Sequence, residues 1–442
     1  MRVSKIYVTK LFGIFNHPVS LNAEDRITII HGPNGFGKTA LLRLINGFFN
    51  SQYSELLSIP FAEFRIDFDD GSYLRITKQT IATTKPTVSN HENDINLAFY
   101  FCNCDLKSEA AVILAVDSKN NFINHISNKW QADRQNPSEL LPIFLLKDMP
   151  QSFDVLHLQY VNLEITKTEP KWLSELKSSI DVNFLQTQRL FALSNVPEAS
   201  IEAKPPSMIP SVNIYAQELA KEIQATLAEY GALSQSLERT FPARILNNKS
   251  PADITEETLR NKLNEIEEKR SSLREIGLLE RDENPELKIE KHIDNTTKNI
   301  LSVYVEDVEK KLTIFHEISA KIELFTKIIK QRFLYKSMSI SKEKGFTLTV
   351  ADGKPLSLTD LSFGEQHELV MLYELLFKVK PNSLVLIDEP EISLHIAWQV
   401  DFLKDLRSII ELVNFDVLLA THSPDIIDDS WGLTVELKRP VE

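Results

Sequence analysis

An α/β fold with a largely parallel sheet, interrupted by a helical insertion, is predicted by three features of this chain. Strand-like and helical segments alternate near both ends, a glycine-rich turn joins an early strand to a helix, and an apolar strand near the end closes on two adjacent carboxylates. With 43% hydrophobic and 25% charged residues among 442, the chain has apolar material for more than one core, and disorder is not expected.

The first forty residues read as strands, KIYVTKLFGIF, VSLN and RITIIHG, the last running into the glycine-rich loop and the helical stretch TALLRLINGFF. FRIDFDDGSYLRITK carries two alternating segments around a DDG turn and predicts a hairpin. Residues 85 to 180 are punctuated by Pro and Asn, with a strand candidate at FDVLHLQYVNLEI, and VNFLQTQRL reads as a further strand ending in polar residues. From Pro197 to Gln331 the pattern turns helical and charged. Leu259, Leu263, Ile266, Arg270 and Leu273, and again Leu301, Val305, Val308, Leu312 and Phe315, recur at alternating spacings of four and three. Neither run lasts the three or four heptads of a sustained coiled coil, so a helical subdomain or a stubby arm is expected, its helices of ~25 to 40 residues reaching ~40 to 60 Å. Strand and turn character returns from Phe333, followed by helix, apolar strand, helix and a final strand-turn unit. The expected division is an N-terminal lobe 1–195, a helical or short coiled-coil insertion 196–332 and a C-terminal lobe 333–442.

Several function classes recede on composition. No apolar stretch has the length of a membrane span and the N-terminus lacks an apolar leader, so a cytoplasmic protein without membrane partners is expected. Cys102 and Cys104, separated by one Asn, fit neither a zinc ribbon nor a redox pair and read as small buried thiols in a strand. A formal net charge of −13 argues against a wholly nucleic-acid-binding surface while leaving room for a local basic groove. Lys310-Lys311 and the run Lys327 to Arg332 read as solvated helix faces.

The chemistry-bearing motifs are more specific. Gly32-Pro33-Asn34-Gly35-Phe36-Gly37-Lys38-Thr39 fits GxxxxGK[ST] and lies between a strand and a helix. Glycines let successive N–H groups, through Ala40, face phosphate oxygens; Lys38 neutralises phosphate charge, and the Thr39 hydroxyl can ligate Mg²⁺. Downstream, SLVLIDEP is an apolar strand ending in Asp388 and Glu389. Such a strand end is either an ordinary turn or cap, or the place where Asp388 binds Mg²⁺ through water and Glu389 polarises a water. In LSFGEQ, Ser362 and Glu365 fit a capping box that needs no function, although a glycine-bearing helix start can also receive phosphate.

The glycine-rich loop, LSFGEQ ahead of IDEP, and THSP at 421 to 424 occur in the order seen in ABC-type ATPases. Over both ends, about half of the chain, the sequence resembles the SMC, Rad50 and RecF branch. That resemblance implies an ABC-type P-loop NTPase head assembled from the two terminal lobes. It further implies ATP and Mg²⁺ as ligands and a head-to-head dimer in which Ser362 and Gly364 of one copy close on ATP held by Lys38 of the other. His422 matches the switch histidine. The Mg²⁺-sensing glutamine is placed at Gln188, with Gln186 beside it; each also reads as a surface polar residue. Two departures stand out: Phe363 replaces the first glycine of the usual LSGG, and His395 occupies a position where transporters usually have Asp.

The insertion is short against SMC or Rad50 arms and carries no zinc hook, so a DNA-bridging rod is not expected. About twenty residues follow His422, and no Toprim nuclease is expected after it. The wording SFGEQHELVMLYELLFK and IDEPEISLHIAWQ is similar to ATPase components of antiphage systems, among them AriA of PARIS and PtuA of Septu. That resemblance implies an ATPase that acts as sensor and scaffold for a separately encoded nuclease effector, with a phage-derived trigger. A RecF-like ATPase gripping duplex DNA is the alternative, and a transporter subunit fits least.

Overall fold

The computed structural model describes residues 1–80, 95–103, 108–115, 169–186, 190–193, 208–247, 255–280 and 294–439. The strand candidate at 153–165, Cys104 and Gln188 lie outside these residues. Two compact units make up the chain: Met1–Leu185 with Lys380–Glu389 and Phe415–Glu442, and Gln186–Val379 with Pro390–Asn414.

In the first unit, β1 (Val3–Leu11), β2 (Phe15–Ser20), β4 (Glu63–Phe68), β5 (Tyr73–Thr80), β6 (Ile95–Asn103) and β7 (Ser108–Ala115) form an antiparallel sheet in the order β2-β1-β4-β5-β6-β7. β4 and β5 are the hairpin expected around the DDG turn, with Asp67 opposite Tyr73. Along β1 the buried residues Val3, Ile6, Val8 and Leu11 depart from strict alternation where the register shifts, between Val3 and Lys5 and between Val8 and Leu11.

The second sheet is wholly parallel, in the order β16-β3-β15-β14-β8, with β3 Ile27–His31, β8 Val182–Leu185, β14 Leu384–Asp388, β15 Asp416–Ala420 and β16 Thr434–Glu436. Every residue of β14 and β15 is buried, which is why LVLID and DVLLA read as apolar runs rather than alternating ones. Helix α1 (Lys38–Phe49) is buried on nearly all sides, as a helix apolar all round must be. Its Leu41, Leu44, Ile45 and Phe48 share one core with Ile6, Ile66 and Phe99 of the antiparallel sheet and Leu386 and Leu418 of the parallel one. The short helices α2 (Tyr53–Ser58) and α3 (Lys171–Ser178) flank it. Arg2 joins the two sheets by forking onto Asp416 at the start of β15, with bonds of 2.8 and 2.5 Å.

The second unit holds the helices α4 (Ser211–Asn247), α5 (Glu256–Glu275), α6 (Asn295–Thr313) and α7 (His316–Arg332), then α8 (Phe363–Tyr373) and α9 (Ile396–Val413). It also contains a two-stranded pair, β9 (Phe191–Leu193) with β10 (Met208–Pro210), and the antiparallel β11 (Lys336–Ser341), β12 (Gly345–Val350) and β13 (Pro355–Leu356). The heptad seam is visible: Leu259, Ile266 and Leu273 of α5 are buried, as are Val305, Val308 and Leu312 of α6 and Phe315 after it. α6 packs against both α5 and α4. Its buried Asp307 accepts both arms of Arg244 from α4, one at 2.7 Å. At 37 residues, α4 is ~55 Å long. No helix among the described residues is long and apolar enough to cross a membrane.

Lys327 and Lys330 are exposed as expected, but Arg332 is buried, pairing with Glu368 at 2.9 Å and with Asp405. A helix-end arginine turned inward requires such partners, because an unpaired buried charge is far costlier than a paired one.

Gly345 opens β12 with φ +67°, and a Cβ there would lie 1.8 Å from the Ala216 carbonyl oxygen of α4. Gly353, at φ +80°, has nothing within 4 Å. Gly345→Ala should therefore destabilise by more than about 2 kcal/mol and Gly353→Ala by about 1 kcal/mol, the backbone term alone. Thermal unfolding of the two variants checks this; equal losses would show that the close approach to α4 contributes nothing.

Candidate nucleotide site

The strands β3, β15 and β14 lie side by side, and their ladders place Ile30, Ala420 and Asp388 level with one another. The segments that leave these three strands therefore emerge at the same carboxyl edge, where open parallel sheets bind ligands. They are the glycine-rich loop Gly32 to Gly37, then Thr421-His422-Ser423, then Glu389.

The loop turns through glycines that adopt φ +152° at Gly32, +83° at Gly35 and +89° at Gly37. Gly37 is the residue before α1, in a left-handed conformation, and a Cβ there would lie 2.4 Å from Leu11 Cδ2. No side chain caps the start of α1 and its first turn carries no acidic residue, so its N–H groups and positive dipole end face the loop. Lys38, only 4% exposed, folds its ammonium back onto the carbonyl oxygens of Gly32 at 2.9 Å and Pro33 at 3.3 Å. The Thr39 hydroxyl donates to Asp388 Oδ1 at 3.1 Å, joining residues 349 positions apart.

Glu389 follows β14 with φ +43°, a left-handed backbone that is strained for a residue with a side chain. Its N–H donates to the Ala420 carbonyl at 2.9 Å, extending the β14–β15 ladder by one rung and fixing the turn. On the neighbouring segment, buried Thr421 donates its N–H to Ile30 and accepts the N–H of Ser423, whose hydroxyl caps the helical turn Pro424–Ile427. His422 is held between them, its Nε2 3.4 Å from Glu389 Oε1.

A cavity of about 460 Å³ opens here, lined by Lys38, Thr39, Glu389 and His422 among others. Phe12, Arg43, Ser58 and Ile59 also line it and were not singled out from the sequence. Phe12 lies in the β1–β2 turn, where its N–H donates to Pro60; Arg43 is held by Glu55 at 2.7 Å. KIYVTKLFGIF, expected as one strand, instead breaks after Leu11 and resumes at Phe15, and the Gly after Phe12 is the sequence signal of that turn.

Ser362, Gly364 and Glu365 belong to the other unit. The capping box is present: Glu365 Oε2 accepts the Ser362 N–H at 3.0 Å and its hydroxyl at 2.9 Å, and the Ser362 hydroxyl accepts the Glu365 N–H. Burial works to raise the Glu365 carboxyl, but Lys336 at 2.5 Å and the Ser362 hydrogen bonds outweigh it and hold it below its ordinary range. Arg332 holds the same helix one turn on, through Glu368. The tip stays open, with Ser362 exposed and Phe363 72% exposed. His395 acts as the N-cap of α9, its Nδ1 accepting the Ala397 N–H at 3.2 Å. Gln186 is the first residue after β8.

The donors fit a magnesium-bound nucleotide. A helix start without a protein cap, a buried lysine resting on weak carbonyl acceptors, and a hydroxyl beside a carboxylate are the groups that hold a phosphate chain and a hard cation. A family model described as the AAA ATPase domain matches residues 1–427. Protein ea59 of Escherichia phage lambda is 31% identical over 123 residues, and the chain spans 23% of that relative's length and matches over 27% of its own. Among solved structures, the Smc head domain of Pyrococcus furiosus bound to the C-terminal domain of ScpA aligns at TM-score 0.35 and 13% identity, over 100% of this chain and 94% of that one. The SMC head domain from Thermotoga maritima aligns at 0.33 and 10%, over 97% and 92%. Matched by the family model over nearly its whole length, this chain belongs to the AAA ATPase domain family.

Proposed function

We propose that the cavity binds ATP with Mg²⁺ and hydrolyses it. The observation that carries this reading is the convergence of Lys38, the Thr39–Asp388 pair and the Glu389–His422 pair at the level ends of three adjacent parallel strands. Lys38 exchanges its carbonyl partners for phosphate oxygens, and the amides of the loop and of α1 receive the remaining phosphate charge. Thr39 and Asp388 hold Mg²⁺, with Gln188 as the third ligand; when bound, the ion screens the phosphates. Glu389 accepts a proton as water attacks the γ phosphorus and the bond to the β-phosphate oxygen breaks, releasing ADP and phosphate. His422 steadies the Glu389 carboxylate and contacts the γ phosphate.

A second copy completes the site on this reading, through its exposed Ser362 and the Gly364 amide. The role proposed for the resulting dimer is that of sensor and scaffold for a separately encoded nuclease in antiphage defence. Its support is the similarity of SFGEQHELVMLYELLFK and IDEPEISLHIAWQ to the ATPase components of such systems.

Lys38→Ala should abolish ATP binding in calorimetry, and Glu389→Gln should keep binding while turnover drops by about two to three orders of magnitude; full activity in either variant refutes the site assignment. Light scattering should show a dimer or larger species for Glu389→Gln only with ATP and Mg²⁺, and a monomer under all conditions removes the role of Ser362 and Gly364. Where a nuclease gene stands beside this one, its co-expression should protect cells against phage in a Lys38-dependent manner. Duplex DNA that accelerates hydrolysis, with no such protection, would favour a repair ATPase instead.

A further inference from the structure

Behind the glycine-rich loop, on the β2 strand, lies a histidine that no motif predicts. His17 is 2% exposed, and its Nε2 is 2.8 Å from the Phe36 carbonyl oxygen. A carbonyl oxygen can only accept, so the ring carries its proton on Nε2 and donates it to the loop. Phe15 of the same strand stacks on the imidazole at 5.5 Å and tilts against the Phe36 ring at 5.1 Å, so the ring is held on its face between β2 and the loop. Burial pushes His17 below its ordinary range, in keeping with a neutral ring at pH 7.

The bond matters because of the peptide that it holds. In a trans peptide the C=O of one residue and the N–H of the next point in opposite directions, and the chain has no cis peptide among the described residues. Fixing Phe36 O toward β2 thus turns the Gly37 N–H the other way. Gly37 lines the cavity and His17 does not. Gly37 sits at φ +89°, a conformation natural to glycine, and the hydrogen bond from His17 fixes the plane of the peptide that precedes it.

We propose that His17 is a positioning residue for nucleotide binding: by gripping the Phe36 carbonyl it aims the Gly37 amide at the phosphate chain. The proposal rests on the reading of the cavity as a phosphate site. It requires a donor at this position, which separates it from a purely packing role for the ring.

Binding of ADP and ATP with Mg²⁺ to the full chain, by calorimetry, tests it on wild type, Lys38→Ala, His17→Leu and His17→Gln. Leu fills the space without a donor, whereas the Gln amide can still reach the carbonyl. Kd and KM should rise about tenfold in His17→Leu, the scale of one well-placed hydrogen bond, with kcat little changed, and His17→Gln should stay within about threefold of wild type. Unchanged binding in His17→Leu, or equal weakening in both variants, overturns the proposal. Should the leucine variant not fold, the ¹⁵N spectrum of the wild-type imidazole decides: an Nε2–H tautomer supports the grip, and Nδ1–H refutes it. If wild type binds neither nucleotide, or Lys38→Ala binds as well as wild type, it is the phosphate-site reading that fails.

Discussion

The parallel ladder β3-β15-β14 is the constraint from which the site follows. Each strand hydrogen-bonds its neighbour in a fixed register, and Ile30, Ala420 and Asp388 end level. Three loops with no sequence relation to one another must then emerge at one edge. The same ladder continues for one rung into the segments that line the cavity, through Glu389 N–H to Ala420 and Thr421 N–H to Ile30. Because each of those N–H groups is bonded to a strand carbonyl, any shift of the loops breaks a hydrogen bond as well as the geometry.

Packing then holds the ladder against α1. The helix is wedged between two sheets, with Leu44 and Phe48 wholly buried, and truncating a phenylalanine in such a place costs about 3–5 kcal/mol. The start of α1 therefore cannot drift from β3, and its N–H groups stay aimed at the cavity. Glycine at position 37 is demanded by two separate facts, the left-handed turn and the Leu11 side chain behind it. In the second unit, the exposed tip at Ser362 and Phe363 stands on a buried base in which Lys336 and Arg332 grip Glu365 and Glu368.

Much of this was legible along the chain. The apolar runs LVLID and DVLLA are covered parallel strands, the DDG turn is a hairpin, and the spacing at Leu259, Ile266 and Leu273 is a buried seam. Ser362 and Glu365 form the capping box that their spacing announces. Each of these signals is local: turn chemistry, strand burial and helix periodicity act within a few residues. Arg332 was misread because a charge run reveals nothing of Glu368 and Asp405, which approach from elsewhere in the sequence.

What the amino-acid order determined by itself is the set of candidate site residues, from the glycine loop with Lys38 and Thr39 through the Asp388-Glu389 strand end to His422. Only the tertiary structure decided that Thr39 meets Asp388 across 349 positions, that Phe12, Arg43, Ser58 and Ile59 wall the cavity, and that His17 stands behind Phe36. The physical reason is that motif spacing records constraints on a backbone turning over a few residues, whereas these contacts arise from strand order and register.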